Sequence, residues 1–577
     1  MAHEKLTDRT ELTTAADGDK MHIVDVDDNG TDAAGNSKFI TVTNLMNKAP
    51  VQTVNGADGT VVLEVNDLDD VNAGSPSDND VLSYDDATNK YIPDTRLTTL
   101  YALIKQGSSL TLTDGANTNS ELELTATTAK MKTGVTEVAL TETSPGEIDF
   151  IVAAGGASHI FKPRAVGEGM GRTWYAPWSN GSAYALPIAA GAKMTQMENR
   201  IVLCRFKDGY GPVGAYFLHL KTYTQNANGE NYEKKWYDKT KELVGEYIDH
   251  HPTPTCLRNH AFIQEVAAGG GPIHMVTKEA FQDPHLETVG WENFLGMTVG
   301  QAVVWASQNI DPKYTNPELT TSEPYVMGSH ATCSGAWVSG PEDIAPDDYF
   351  WGYNRMMSVE GLFGAGDTVG GSAHKFSSGS FTEGRLAAKA AVKYIEDKKA
   401  NNIKLSEKQY NDLKEVIYKP LENYTVGRNE ITGGTVSPSY ISPIQGLQRL
   451  QKIMDEYCGG ITNNYMTNDN LLKKGLELLD WLQEDLENVG AEDYHQLMRA
   501  WELKHRALTS QCVTEHTLFR EETRWPGYYY RGDHMKLDDE NWHCLTVSRR
   551  DPETGKFTME KKPVYHIVDD KEKKKAS

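Results

Sequence analysis

The stretch Gly361–Arg385, GLFGAGDTVGGSAHKFSSGSFTEGR, decides how the rest of the chain is read. The apolar run Val359–Phe363 predicts a short buried strand. A turn follows, with Gly364, Gly366, Gly370 and Gly371 around Asp367. A Ser/Gly/Thr-rich entry then leads into a helix predicted over Leu386–Lys398, with Thr382 and Glu383 where N-cap and first-turn residues belong. Two readings of the turn fit equally. Opening a helix, it presents backbone N–H groups and a positive dipole end to an anion, and Asp367 can accept hydrogen bonds from a polyol. It also fits a plain strand-to-helix connection.

Length and composition bound the rest. A chain of 577 residues exceeds what one hydrophobic core supports, so several domains are expected. Its 57 basic residues against 81 acidic ones give a net charge of −24, which argues against nucleic acid or an anionic membrane as the main partner. No apolar run is long enough for a membrane span. The first twenty residues lack the apolar segment of a secretory signal, so a cytoplasmic location is expected. The cysteines Cys204, Cys256, Cys333, Cys458, Cys512 and Cys544 form no C-x-x-C pair. No metal site or iron–sulfur cluster carried by this chain is therefore expected.

Composition breaks near residue 148. Residues 1–147 hold 25 Asp+Glu against 10 Lys+Arg, no Cys or Trp, and Phe39 as their only Phe. Short β-like pieces (Met21–Val26, Phe39–Thr43, Thr60–Val65, Ser120–Thr125) alternate with turn residues such as Asn55-Gly56 and Asp114-Gly115. Few large apolar side chains are available, so small β modules, or strands that need partner chains, are expected. The phrases LTTAADGDKMHIVDVDD, GNSKFITVTNL and VVLEVNDLDDVNAGSPSDNDVLSYDDATNKYIPDT resemble modules of bacteriophage tail-fibre proteins. That resemblance implies homo-oligomerisation through this region and, as an alternative function, a virion structural protein.

Beyond residue 148, Ile148–Ala157 predicts a buried strand running into the Gly155-Gly156 turn. A Gly-rich loop from Arg164 leads to Trp174, and Gly181–Lys193 predicts a small-residue helix. Arg205–Gly214, RFKDGYGPVG, reads as a loop, and Thr253–His260 supplies a second arginine, Arg258. Tyr232–Tyr247 predicts a charged helix, Gly269–Gly271 a turn and Phe294–Ala306 an apolar helix. His330 follows an apolar strand, where a lone histidine is ordinarily structural. Apolar residues at helical spacing over Tyr410–Tyr418, Gln445–Tyr457, Leu471–Asn488 and Tyr494–Gln511 predict a helical C-terminal part. Trp525 with three following tyrosines has the composition of an interface, and final strands are expected at His543–Ser548 and Pro563–Val568.

With these motifs in order from about Ile148 to Asp569, the chain resembles the succinate dehydrogenase/fumarate reductase flavoprotein superfamily. The HKFSSGSFTEGR wording resembles its dissimilatory adenylylsulfate (APS) reductase α-subunit branch. The resemblance implies an α/β flavin domain over 148–204 and 328–405 and an α+β capping domain over 205–327. A helical C-terminal domain over 406–577 and the β-rich acidic region 1–147 complete the expected architecture. It implies FAD, contacted by Gly155, Gly156, Asp367, Lys375, Ser377, Ser378, Gly379 and Ser380, with Trp174 beside the isoalloxazine ring. It implies Arg205 and Arg258 holding the substrate anion and His330 assisting. The implied reaction is reversible reduction of APS to sulfite and AMP through a flavin N5–sulfite adduct. Electrons would come from a separate iron–sulfur β subunit, against which the Arg520–Arg531 segment would lie.

The superfamily also uses an N-terminal strand–GxGxxG–helix for the FAD pyrophosphate and ribose. Residues 1–147 contain no such motif. The first half of the flavin domain is therefore expected to be replaced, leaving its parallel sheet short of neighbours and an apolar edge bare.

Overall fold

The chain was examined as a computed structural model. For residues 1–148 the structure describes the backbone of strands β1–β9. Beyond them it describes residues 150–156, 158–163, 179–207, 209, 220–250, 253–328, 332–371, 375–398, 403–427 and 440–565. The chain divides into two compact units, Met1–Pro145 and Gly146–Ser577.

The first unit holds antiparallel β structure. Lys20–Asp25 (β1) pairs with Asn36–Thr41 (β2), and Val81–Asp85 (β3) with Lys90–Asp94 (β4). Leu110–Asp114 (β5), Asn117–Leu124 (β6), Thr128–Thr133 (β7) and Thr136–Thr141 (β8) form a four-stranded meander. Small separate sheets are what a region poor in large apolar side chains can build. The pieces expected at Met21–Val26, Phe39–Thr43 and Ser120–Thr125 fall on β1, β2 and β6; Thr60–Val65 lies outside the described residues.

The second unit opens with Glu147–Ile148 (β9) and Ile151–Ala154 (β10). Helix α1 (Ser182–Ala189) follows, then Lys193–Thr195 (β11) and Ile201–Phe206 (β12). An antiparallel sheet is completed by Thr224–Gln225 (β13), Ile273–Met275 (β14) and Glu318–Tyr325 (β15), in the order β12-β15-β14-β13. Helices α2 (Glu233–Val244), α3 (Thr255–Ala267) and α4 (Trp291–Ser307) belong to the same stretch of chain. Cys204 and Phe206 of β12 share an apolar cluster with Trp236, Phe262, Phe294 and Trp305 from those helices. Gly335–Ala336 (β16) precedes Leu362–Ala365 (β17), the strand predicted at Val359–Phe363. β17 pairs in parallel with β10 alone among the described strands.

Helix α5 runs over Phe376–Lys398, beginning ten residues before the predicted start. Thr382 is therefore not an N-cap; its hydroxyl donates to the Ser378 carbonyl one turn back, at 3.0 Å. The buried stripe of α5 begins at Glu383 and runs through Ala387, Ala390 and Ala391; the Ser/Gly-rich entry before it is helical although Phe376 and Phe381 are exposed. Ile403–Lys404 (β18) pairs with β9.

The C-terminal part is helical, as expected, with α6 (Glu407–Gly427), α7 (Pro443–Tyr457), α8 (Asp469–Leu486) and α9 (Tyr494–Phe519). Met466–Thr467 (β19) pairs with Tyr530–Arg531 (β20). Ser442 and Gln445 form a reciprocal capping box on α7, and Asn468 and Asp493 cap α8 and α9 through their side chains. Leu472, Leu479, Leu482 and Leu486 of α8 are buried against Leu450, Met454, Leu503 and Val513. Each such side chain contributes about 1.5–3 kcal/mol relative to exposure.

Cys544–Arg550 (β21) and Phe557–Pro563 (β22) join β11 and β16 in a four-stranded sheet. Among the described residues the last strand ends at Pro563; residues 566–568 of the strand expected at Pro563–Val568 lie outside them. The Tyr528–Tyr530 segment also departs from the expected interface: all three rings are buried in a cluster with Tyr325, Met327 and Tyr465. A run of aromatics in sequence does not distinguish a surface anchor from an internal wedge. All six cysteines are free; Cys204, Cys256, Cys458 and Cys512 are buried, Cys333 and Cys544 partly so. No described helix is long and apolar enough to cross a membrane.

Candidate active site

β10 and β17 end side by side, with Ala154 opposite Ala365. Each strand then turns sharply. Gly155 and Gly156 follow β10, and a 3₁₀ turn, Gly366–Thr368, follows β17. The two turns are tied together. Thr368 Oγ1 donates to the Gly155 carbonyl at 2.8 Å, and the Tyr184 hydroxyl of α1 donates to the Gly156 carbonyl. The backbones approach too closely for side chains: a Cβ on Gly156 (φ +143°) would stand 2.6 Å from the Asp367 carbonyl carbon. A Cβ on Gly328 (φ +54°) would stand 2.1 Å from the Asp367 carbonyl oxygen. Both positions require glycine for this reason.

The N-terminus of α5 closes the turn. A Cβ on Gly366 would lie 3.3 Å from Ser380 Oγ. Just before the helix, Lys375 Nζ donates to the carbonyls of Val369 at 3.0 Å and Gly366 at 3.4 Å. Glu383, read from sequence as a first-turn residue, instead anchors this end from within the helix. It accepts a forked pair from Arg355, with Nη2 at 3.0 Å from Oε1, and lies 3.3 Å from Lys375 Nζ. Burial pulls the Lys375 ammonium below its usual range, and Glu383 opposes that. The sequence does not single out Arg355, Tyr184 or Gly328, and it marks Glu383 only as a first-turn residue. For Glu383 the signal was present, since a helical stripe drawn back through Ala387 reaches it.

Both turns lie at the carboxyl ends of a parallel strand pair, the place where open α/β sheets bind ligands. Two glycine turns allow close backbone approach, and a helix N-terminus offers its first N–H groups. Ser377, Ser378, Gly379 and Ser380 all lie in the first turns of α5, and Asp367 sits at the tip of the turn they face. These residues fit one side of a cradle for an oxygen-rich, anionic cofactor.

The residues expected to hold substrate sit elsewhere in the unit. Arg205 is not in a loop; it is the penultimate residue of β12 and is buried, opposite Thr320 of β15. The Gly/Pro punctuation that suggested a loop begins only after Phe206. Arg258 lies on α3 and lines a cavity of about 630 Å³ with Glu233, Tyr237, Thr253 and Leu257. Burial pushes the Glu233 carboxyl up, and Arg258 opposes that. α3 packs against β12 on either side of Arg205: Cys204 and Phe206 share one cluster with Ala261 and Phe262, and Leu203 another with Leu257 and Ile263. Trp174 and His330 lie outside the described residues. Among the described residues no group of His, Cys, Asp and Glu could hold a metal ion.

Beneath these sites lies a buried ionic network. Glu198 accepts from Arg520 Nε at 2.6 Å and lies 3.2 Å from His516 Nδ1. Burial alone would raise its carboxyl, but Arg520 and His516 outweigh that and hold it at about 2. Arg520 also donates to Glu522 at 2.7 Å. Arg200 lies over the rings of Phe161 and Tyr529, at 5.1 and 4.5 Å, and donates to the Cys458 carbonyl. None of this had been read from the sequence.

Comparison with known proteins agrees with the geometry. Residues 447–573 match the family described as fumarate reductase flavoprotein C-term. The chain is 45% identical over 437 residues to the adenylylsulfate reductase subunit alpha of Megalodesulfovibrio gigas, a match covering 72% of this chain and 65% of that protein. It thus spans slightly less than two thirds of that relative's length. The solved adenylylsulfate reductase of Archaeoglobus fulgidus superposes with a TM-score of 0.70 at 44% identity, covering 80% of this chain and 72% of the solved one. An adenosine-5-phosphosulfate reductase solved with sulfite as a covalent adduct gives the same TM-score, identity and coverage. On this likeness in both sequence and structure, the chain belongs to the adenylylsulfate reductase α-subunit family of flavoproteins.

Proposed function

We propose that this chain is the flavin-carrying subunit of an adenylylsulfate reductase, interconverting APS with sulfite and AMP. FAD is its cofactor, and a separate iron–sulfur β subunit is its electron partner. The observation that carries the reading is the cradle at the ends of β10 and β17, closed by the N-terminus of α5. Bound there, FAD supplies two-electron redox chemistry that no side chain provides.

The chain's own residues then have distinct tasks. Gly155 and Gly156 let the backbone approach the cofactor, and Asp367, Ser377, Ser378 and Ser380 offer hydrogen bonds to it. Gly379 keeps the first turn of α5 open, Lys375 fixes the turn before it, and Trp174 shields the ring system. Arg205 and Arg258 bind the substrate's anionic oxygens, for which the planar guanidinium fork is suited. His330 holds sulfate as a cation or protonates AMP as it departs. Residues 148–204 with 328–405 form the flavin-binding part, 205–327 the cap and 406–577 the helical part.

The test is to purify the chain alone and with an iron–sulfur β subunit of this family. FAD per chain and AMP- and sulfite-dependent reduction of an electron acceptor are then measured. Flavin with turnover is expected in the presence of the β subunit. A folded chain with neither flavin nor turnover under both conditions would sink the proposal, leaving the tail-fibre-like reading of residues 1–147 as the function to pursue.

A further inference from the structure

A charge brace lies beneath the turn that follows β17. The Lys375 side chain is 8% exposed, and its ammonium carries three donors. It donates to the carbonyls of Val369 at 3.0 Å and Gly366 at 3.4 Å, and Glu383 Oε1 stands 3.3 Å away for the third. With its donors so occupied, Lys375 holds the turn instead of reaching into the cradle. Glu383 is gripped from the other side, where Arg355 Nε and Nη2 both donate to it. The ionic chain thus joins the loop before β17, helix α5 and the turn that carries Asp367.

The backbone at both ends of this chain of charges is unusual. Arg355 stands at φ +69° and Phe376, next to Lys375, at φ +49°. Residues with a Cβ avoid that region because it crowds the following carbonyl oxygen, so each is kept there by its surroundings. For Arg355 these are backbone hydrogen bonds with Ser339 and Gly364, both at 2.9 Å, and the fork on Glu383.

We propose that Glu383 is a positioning residue for the flavin: it keeps Lys375 charged and seated on the Gly366 and Val369 carbonyls, and so fixes the turn that presents Asp367 to the cofactor. The proposal rests on the flavoprotein reading for the cofactor and on the ionic chain itself for the mechanism. Burial pulls the Lys375 ammonium below its usual range; Glu383 and Asp367 oppose this, and Arg355 adds to it. Cys333, between β15 and β16, also faces this group, but burial pushes its thiol up to about 11, so it carries no charge near neutrality. Without Glu383 the ammonium loses its ion-pair partner, gives up its proton at lower pH and releases the turn.

The test compares the full chain with Glu383→Gln and with a double variant carrying Glu383→Gln and Lys375→Met. FAD affinity is read by fluorescence titration from about pH 6.5 to about pH 9, each variant against the unaltered chain at the same pH. Amide hydrogen exchange is followed without flavin at Val369, Gly370 and Gly371, whose N–H groups donate to the carbonyls of Gly366, Ala336 and Cys333. Glu383→Gln is expected to weaken FAD at least about tenfold at the alkaline end and less at the acid end, with exchange at these amides quickening along the same trend. The double variant has no ammonium to lose, so its weakening is expected to be about tenfold across the whole range. A loss in Glu383→Gln that does not grow with pH overturns the proposal, because an ion pair with a purely structural role gives that result. Unchanged exchange at these amides overturns it as well. If Glu383→Gln does not fold, the double variant, which removes one charge of each sign, decides: affinity and exchange like those of the unaltered chain overturn the proposal. An unaltered chain that binds no FAD at any pH faults the reductase reading, and the exchange measurement still decides the brace.

Discussion

Helices α7–α9 and the strand pair β10–β17 belong to one compact unit but differ in completeness. The helices enclose Leu450, Leu479, Leu482, Leu503 and Val513, all 1% exposed or less, and adjoin a charge network whose members find partners inside the chain. The strand pair carries the residues with the most direct claim on a cofactor, yet leaves Ile151 and Val152 in solvent. On the proposed reading, folding stability and cofactor binding are lodged in different places.

That contrast can be broken at several points. The largest effect is expected for Arg520→Met, which takes the guanidinium from the buried Glu198 and leaves it only His516, while Glu522 keeps Arg524. A loss of about 3–5 kcal/mol in urea unfolding is expected, and a loss below about 1 kcal/mol would show the network to be dispensable. Leu479→Ala leaves a cavity between α7, α8 and α9 and is expected to cost about 3 kcal/mol by the same measurement.

Titration sharpens the picture. Burial, with Asp480 adding to it, raises the Glu515 carboxyl of α9 from 4.5 to about 7. The folded state then holds a proton that the unfolded state has released, so this group's contribution is full below about pH 4.5 and is lost as pH rises through 7. Glu198 has the opposite sign: its contribution is present above pH 4.5 and is lost as pH falls toward 2. His260, which burial lowers to about 4, titrates with the opposite sign over the same range, so Glu515 is read by difference. The gap in unfolding free energy between the chain and Glu515→Gln should change by about 3 kcal/mol from pH 4.5 to 8.

Gly328→Ala acts on the other region. The added methyl meets the Asp367 carbonyl oxygen and the Tyr184 hydroxyl. FAD affinity, measured by fluorescence titration, should fall at least about tenfold while the unfolding midpoint moves less than in Leu479→Ala. An equal loss of stability would erase the distinction between the regions. The smallest effect belongs to Lys473→Ala, which removes an exposed pair with Asp469 one turn away and should cost less than about 0.5 kcal/mol.

What was legible in the sequence follows the same division. The amphipathic spacing of LLKKGLELLDWLQEDLENVG identified α8 because a helix packed on one side must repeat its apolar residues every three or four positions. The turn around Asp367 was found because close backbone approach requires glycine. Thr382 was misplaced because Ser, Gly and Thr resemble a cap when read locally, whereas Glu383 is fixed by Arg355 and Lys375 from outside the helix. Arg205 was read as a loop residue because a buried arginine in a strand carries no local mark. The pairing of Glu198 with Arg520 spans 322 positions and left no trace in spacing.

The buried thiols have a practical consequence. Desolvation pushes Cys256 and Cys512 up to about 12, so almost none of either is thiolate near neutrality, and both side chains are enclosed. An alkylating reagent reaches them only when their surroundings open. Cys256 sits on α3 beside Tyr528, and Cys512 in the middle of α9. The two cysteines are thus built-in clocks, each timing the breathing of its own neighbourhood. Comparing their modification rates under the same conditions shows whether the surroundings of α3 and the helical core open with similar or different ease.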